Sequence, residues 1–141
     1  MLETCRLKLG MAAAGLMGAL ALSMPAGAQD EEAPYSVVDG KVDQATYNGW
    51  RRYHASCHTC HGPDGLGSSY APSLVDSLKV TSYDDFAEVV INGRENVTTS
   101  QQSVMPGFGM VMDVATYLDD IYGYLKARSD GVLGRGRPQR Q

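Results

Sequence analysis

Cysteine is scarce in this chain of 141 residues, which has only Cys5, Cys57 and Cys60. Cys57 and Cys60 are too close in sequence to join distant parts of a fold, so a scaffold held together by disulfides is excluded. Basic charge is also in deficit, because 16 Asp and Glu outnumber 12 Lys and Arg and the formal net charge is −4. Such a chain is a poor ligand for nucleic acid, although acidic charge suits solubility and docking onto a basic surface.

Long apolar runs are absent beyond the N-terminus, where residues 1–28 have the pattern of a secretory signal peptide. Arg6 and Lys8 precede an apolar segment over residues 9–22, and Ala-Gly-Ala at 26–28 forms a cleavage site. The alternative is a retained membrane anchor, but a membrane span needs roughly 20 apolar residues. We therefore expect an exported, periplasmic protein that is cleaved near Ala28 and is not stably inserted in a membrane afterwards.

Internal repeats and convincing strand patterns are also missing, and helical periodicity predominates. The three predicted helices cover residues 44–56, 83–92 and 113–128. Asp43 and Ser82 are residue types that cap helix N-termini, and Gly93 suits a helix C-terminus. Loops over residues 62–80 and 94–103 separate the helices. We predict an all-α fold with long loops, which in a small domain need a bound group to fold around.

The chain divides into four predicted parts. After the signal peptide, residues 29–42 form an acidic, irregular N-terminal arm. Residues 43–129 form the helical domain, and residues 130–141 form a tail rich in Gly and Arg. Because terminal segments of this composition are often poorly ordered, we expect the tail to be mobile.

One short motif carries most of the chemistry, since residues 57–61 read Cys-His-Thr-Cys-His. Two thiols one helical turn apart can each add to a porphyrin vinyl group, and the next residue then lies beneath the iron, where imidazole is a good ligand. A thioredoxin-like dithiol would need a βαβ context, and a structural zinc site would need further Cys or His ligands at suitable spacing. The motif therefore favours one covalent haem c, attached through Cys57 and Cys60, with His61 as an axial ligand.

The second axial ligand is less directly indicated. Met105 lies in a loop between two predicted helices and is followed by a proline, and a thioether opposite histidine raises the reduction potential. Met110 and Met112 are the alternatives, and any of the three could instead fill the core. His54 lies one turn before the anchor and His58 lies inside it, so we expect both at the surface or at its edge.

These residues resemble the class I cytochromes c over about residues 43–129. In that family a glycine and an aromatic residue form the crossing between the first and last helices, and Gly49 and Tyr53 stand at those places. Ile121 and Tyr124 match the apolar and aromatic positions of the last helix. The resemblance implies the class I cytochrome c fold, with three or more helices wrapped around one covalent haem.

The resemblance also implies further site residues. Pro72 matches the proline whose carbonyl accepts the Nδ1–H of the ligating histidine, here His61. Leu74 would contact the porphyrin. The Val-Met-Pro-Gly-Phe run over residues 104–108 is similar to the family's ligand loop, which implies Met105 as the second iron ligand.

A narrower resemblance is to cytochromes that accept electrons from quinoprotein (PQQ-dependent) methanol or alcohol dehydrogenases. It rests on residues 47–53, 119–122 and 126–131 and on the Gly-Arg-rich tail. Some of those proteins carry an extra cysteine pair, which this chain lacks.

The resemblance implies a monomeric, monohaem electron carrier that is not an enzyme. It would receive one electron from such a dehydrogenase and pass it to a terminal oxidase or another cytochrome. The alternatives are a haem enzyme or gas sensor with an open iron position, and a haem-free dithiol or metal-binding module.

Covalent attachment should depend on both thiols of the motif. We expect Cys57→Ala or Cys60→Ala in the exported protein to leave little covalent haem, measured by haem staining of the denatured protein. A normal yield of attached haem in the double variant would contradict the assignment.

Overall fold

The computed structural model describes residues 32–97 and 102–141, and these residues form six α-helices and five short strands. The helices are α1 Gln44–Ser56, α2 His58–His61, α3 Leu74–Ser77, α4 Tyr83–Asn92, α5 Met112–Ala115 and α6 Leu118–Ser129. The strands are β1 Val37–Val38, β2 Lys41–Val42, β3 Arg94–Val97, β4 Gln102–Met105 and β5 Gln139–Arg140. Helix dominates, as the sequence predicts. The predicted signal peptide and Cys5 lie outside the described residues.

Helices α1 and α4 begin and end where the sequence predicts, because their capping residues act as expected. The Asp43 carboxylate accepts the Thr46 N–H at 2.7 Å, and the Ser82 hydroxyl accepts the Asp85 N–H at 3.1 Å. Gly93 ends α4 with φ +81°, a left-handed conformation that favours glycine.

The predicted last helix, residues 113–128, is two helices in the structure. Tyr117, between α5 and α6, has φ −114° and ψ 29°, which is not helical. Its carbonyl accepts the Ile121 N–H at 3.0 Å, so α6 starts a new first turn there. Apolar residues continue on the same face across the break, with Val114 and Leu118 both buried, and the periodicity therefore does not reveal it.

The core lies where α1 crosses α6. A Cβ atom on Gly49 would lie 1.8 Å from the Asp120 carbonyl oxygen, so only glycine permits this approach. Tyr53 and Tyr124 are fully buried beside the crossing, with ring centroids 5.7 Å apart. Burial of side chains of this size stabilises the fold by on the order of 2 kcal/mol each.

Two small sheets correct the expectation that the chain lacks strands. Strand β1 pairs antiparallel with β2, and β2 pairs parallel with β5. Strands β3 and β4 pair antiparallel, with Arg94 opposite Met105, so residues 94–97 and 102–103 of the predicted loop are strand. Strands of two to four residues are too short for alternating polarity to be recognised in the sequence.

The prediction of a mobile tail is wrong, because the tail packs along the domain. Leu133 is 5% exposed within the core cluster, and β5 joins the sheet through β2. The Arg137 guanidinium lies 5.6 Å from the ring centroids of both Tyr47 and Trp50, and it donates to the Tyr47 hydroxyl oxygen. These partners lie some 90 residues earlier in the chain, so composition alone could not reveal them.

The helix crossing can be tested by adding a side chain at Gly49. We expect Gly49→Val to lower thermal stability, since a β-carbon alone overlaps the α6 backbone and overpacking costs about 1–3 kcal/mol or more. Gly134→Val is the matched control, because a Cβ on Gly134 meets nothing within 4 Å. Equal melting temperatures for the two variants would mean that the helices do not meet at Gly49.

Candidate cofactor site

The two cysteines lie at the junction of α1 and α2. The Cys57 N–H donates to the Tyr53 carbonyl at 2.8 Å and ends α1, and the Cys57 carbonyl accepts the N–H groups of Cys60 and His61. These bonds place Cys57, Cys60 and His61 on a single helical turn. Among the described residues both cysteines are free thiols, Cys57 half-buried and Cys60 exposed.

The Cys57 thiol does not have the electrostatics of the attacking thiol in a redox dithiol. Burial, with a smaller contribution from Cys60, raises the pKa of Cys57 to about 11. Disulfide oxidoreductases instead lower the pKa of an attacking thiol so that it ionises near neutral pH. Within residues 32–97 and 102–141, no three His, Cys, Asp or Glu side chains lie close enough together to hold a metal ion. These residues therefore do not support the alternative of a structural zinc site.

His61 is buried and its ring is oriented by a backbone group. Its Nδ1 lies 3.0 Å from the Pro72 carbonyl oxygen. A carbonyl can only accept, so Nδ1 carries the proton and Nε2 keeps a lone pair available for a metal. This is the hydrogen bond that the resemblance implies for Pro72.

The turn that follows His61 is tied back onto itself. The Gly67 N–H donates to the His61 carbonyl at 2.7 Å, and the Tyr53 hydroxyl donates to the Gly62 carbonyl at 2.5 Å. Gly62 has φ +72°, and a Cβ there would lie 2.3 Å from the Gly67 carbonyl oxygen. The backbone around His61 is therefore tightly constrained.

The three candidate methionines occupy different environments. Met105, at the end of β4, is half-buried against the core cluster, whereas Met110 and Met112 are 95% and 75% exposed. The loop after Met105 is pinned to α4, because the N–H groups of Phe108 and Gly109 donate to the carbonyls of Val90 and Ile91. Of the three, only Met105 is half-buried.

The donor set fits a covalently attached haem. Two free thiols lie one helical turn apart, a buried imidazole keeps its Nε2 lone pair, and a half-buried thioether lies on a pinned loop. Cys57, Leu74, Met105 and Phe108 are half-buried apolar residues that pack against one core cluster, and their remaining exposed surface is what a porphyrin could cover.

The other two histidines of this region lie outside the proposed ligand set. His54 is half-buried, with its ring tilted against that of Trp50 and the ring centroids 5.0 Å apart. His58 is exposed, as expected. Asp64 and Arg128 are buried, although the sequence pattern indicated a role for neither. A polar Pro-Asp-Gly turn ordinarily indicates an exposed loop, so Asp64 had no distinctive signal.

No helix among residues 32–97 and 102–141 is long and apolar enough to cross a bilayer.

One protein family and two cytochromes c of known sequence match this chain. Residues 44–125 match the family described as cytochrome c oxidase, cbb3-type, subunit III. Cytochrome c-553I from Paracoccus denitrificans is 52% identical over 113 residues, which are 79% of this chain and 50% of the relative. Cytochrome c-555 from Methylococcus capsulatus (Bath) is 47% identical over 96 residues, 67% of this chain and 72% of the relative. The chain thus spans about half the length of the first relative.

A solved structure matches as well. The crystal structure of the c-type cytochrome XoxG from Methylobacterium extorquens AM1 superposes with a TM-score of 0.66 and is 43% identical in sequence. The match covers 78% of this chain and 74% of the other.

Proposed function

The chain belongs to the class I cytochromes c, and we propose that it is a periplasmic, monohaem one-electron carrier between a quinoprotein methanol or alcohol dehydrogenase and a second redox protein. Its relatives are cytochromes c, which carry electrons and are not enzymes. Family membership implies covalently bound haem c. A single haem follows from the single Cys-x-x-Cys-His motif in the sequence. Export follows from the signal-peptide pattern of residues 1–28.

The chain's own residues would hold the haem and set its coordination. Cys57 and Cys60 would form the two thioether bonds, and His61 would bind the iron through Nε2 while Pro72 orients its ring. Met105 would fill the opposite axial position and Leu74 would contact the porphyrin. When bound, the haem supplies an iron that alternates between the ferrous and ferric states.

The half-buried position of Met105 is the single observation that carries this function. A thioether on a pinned loop can close the sixth iron position, and a closed position leaves no site for a substrate or gas. A haem enzyme or gas sensor needs that position open, so the alternative is disfavoured. Met110 and Met112 are 95% and 75% exposed, so neither packs against the core cluster as Met105 does.

An exposed apolar rim next to Met105 suits a short-lived docking partner. The rim consists of Val104, Met110, Val111 and Met112, which are all exposed. Electron-transfer complexes are small, and apolar contacts near the haem edge let the partners approach closely without tight binding. We propose that the donor docks on this rim, while the acidic charge of the chain affects mainly the encounter rate.

The tail is a poor candidate for a free basic docking arm. Arg137 is engaged by Tyr47 and Trp50, and Arg135 donates to Asp64. Deleting residues 132–141 would also remove Leu133 from the core. Arg140→Gln is therefore a cleaner test of tail charge than a truncation.

The ligand assignment is tested by Met105→His. Histidine keeps the iron six-coordinate but favours the oxidised state more than a thioether does, so we expect a lower midpoint potential. The weak near-infrared Met-to-iron band of the oxidised protein should disappear. Met110→Leu and Met112→Leu are the matched controls and should keep the band. Survival of the band in Met105→His would assign the ligand to Met110 or Met112 instead.

The partner is tested by stopped-flow reduction with a purified quinoprotein methanol or alcohol dehydrogenase. We expect reduction of the haem and a rate that slows modestly, by less than about tenfold, as salt is added. Arg140→Gln should change the rate by less than about tenfold as well. Failure of the dehydrogenase to reduce the protein at any ionic strength would refute this donor.

A further inference from the structure

Asp64 is the one acidic side chain that is buried among the described residues. It has no part in the haem ligation proposed above. It lies three residues after His61, in the turn Pro63–Gly65, at φ +61°. Its side chain is 7% exposed. A carboxylate removed from water is costly unless hydrogen bonds and positive charge compensate it.

The compensation comes mainly from the C-terminal tail. The Gly136 N–H donates to Asp64 Oδ1 at 3.0 Å, and Arg135 Nε donates to Asp64 Oδ2 at 3.4 Å. His54 Nε2 lies 3.8 Å from Oδ1. Burial, followed by the Asp64 charge, raises the pKa of the Tyr124 hydroxyl.

A second connection joins the same two segments through Arg128 of α6. Arg128 is buried, and its Nε donates to the Asp64 carbonyl oxygen at 3.4 Å. One of its terminal nitrogens donates to the Leu133 carbonyl. The turn at Asp64 and the tail are therefore joined through both backbone and side-chain atoms.

The turn held in this way begins at His61. The Gly67 N–H closes it onto the His61 carbonyl, and Tyr53 holds the Gly62 carbonyl. Asp64 adds the contacts of this turn with the tail and with Arg128. Asp64 follows His61 by three residues in the sequence, and water screens its charge little because its side chain is only 7% exposed.

We infer that Asp64 is a positioning residue for the His61 turn and that its buried charge, balanced by Arg135, sets part of the reduction potential. This inference rests on the proposed ligation of the haem iron by His61. A nearby negative charge stabilises the ferric state, which carries one more positive charge than the ferrous state. Removing the carboxylate charge raises the potential, and removing the arginine charge lowers it.

The test compares Asp64→Asn with Arg135→Gln in the haem-loaded protein. Asparagine keeps an oxygen that can accept the Gly136 N–H, so Asp64→Asn removes charge with little change of shape. The readouts are the midpoint potential from a redox titration and hydrogen–deuterium exchange of residues 133–141. A solely structural role for Asp64 would alter the exchange without shifting the potential in opposite directions in the two variants.

Glu88→Gln and Arg140→Gln are the matched controls. Glu88 is an exposed carboxylate on α4, and Arg140 is a tail cation that contacts Tyr47 and Gln44 and not Asp64. Neither should move the potential appreciably. Weakening a charged hydrogen bond should speed exchange of the tail amides in both test variants by about tenfold.

The expected result is a higher potential for Asp64→Asn and a lower one for Arg135→Gln, with c-type α and β bands in both. If Asp64→Asn fails to assemble with haem, the sign of the change in midpoint potential of Arg135→Gln alone tests the inference. Shifts no larger than those of the controls, or of the opposite sign, would overturn the inference. The proposed function would survive that result, since its own test is the Met-to-iron band of the unmodified protein.

Discussion

The contact between Gly49 and the Asp120 carbonyl sets how closely α1 and α6 approach, and most of the described structure depends on that approach. With the backbones this close, Tyr53 and Tyr124 can pack ring against ring beside the crossing. Tyr53 then reaches the Gly62 carbonyl with its hydroxyl group. The close packing of α1 against α6 therefore also helps to position the turn after the cysteine motif.

That turn illustrates how the chain orients a histidine with backbone groups. The Pro72 carbonyl accepts from Nδ1, and the His61 carbonyl accepts from the Gly67 amide. Glycines are needed where the chain doubles back, as at Gly62, because a β-carbon would overlap the opposite strand of the loop. The main side chain that holds this turn is Asp64, because its carboxylate connects the turn to residues some 70 positions later.

The two ends of the domain are held by the same helices that hold the site. The Pro34 carbonyl lies so close to Gly123 of α6 that a β-carbon there would be 2.3 Å away. The tail crosses α1 and joins β2. A small domain with long loops gains stability from such additional packing, as it does from a bound cofactor. The side chains of the apolar rim, Val104, Met110, Val111 and Met112, are exposed.

Local chemistry made much of this protein predictable. The helices α1 and α4 followed from their caps and apolar periodicity, and the attachment motif followed from the spacing of Cys57, Cys60 and His61. The glycine at position 49 was identified through the family resemblance, and the close approach of two helices gives the physical reason for it. The choice of Met105 over Met110 and Met112 rested on a family pattern, and burial then separated the three candidates.

The tertiary structure alone decided the features that depend on distant partners. The break at Tyr117 and the two-residue strands leave no periodicity for a sequence to display. The packed tail and the buried Asp64 could not be inferred either, because arginine-rich and Pro-Asp-Gly segments are usually solvated. The tail packs against Tyr47 and Trp50, and Asp64 is buried beside Arg128 and the tail, and all of these partners lie far away along the chain. A sequence pattern reports local preference, whereas the desolvation of a charge is settled by which distant groups the fold brings beside it.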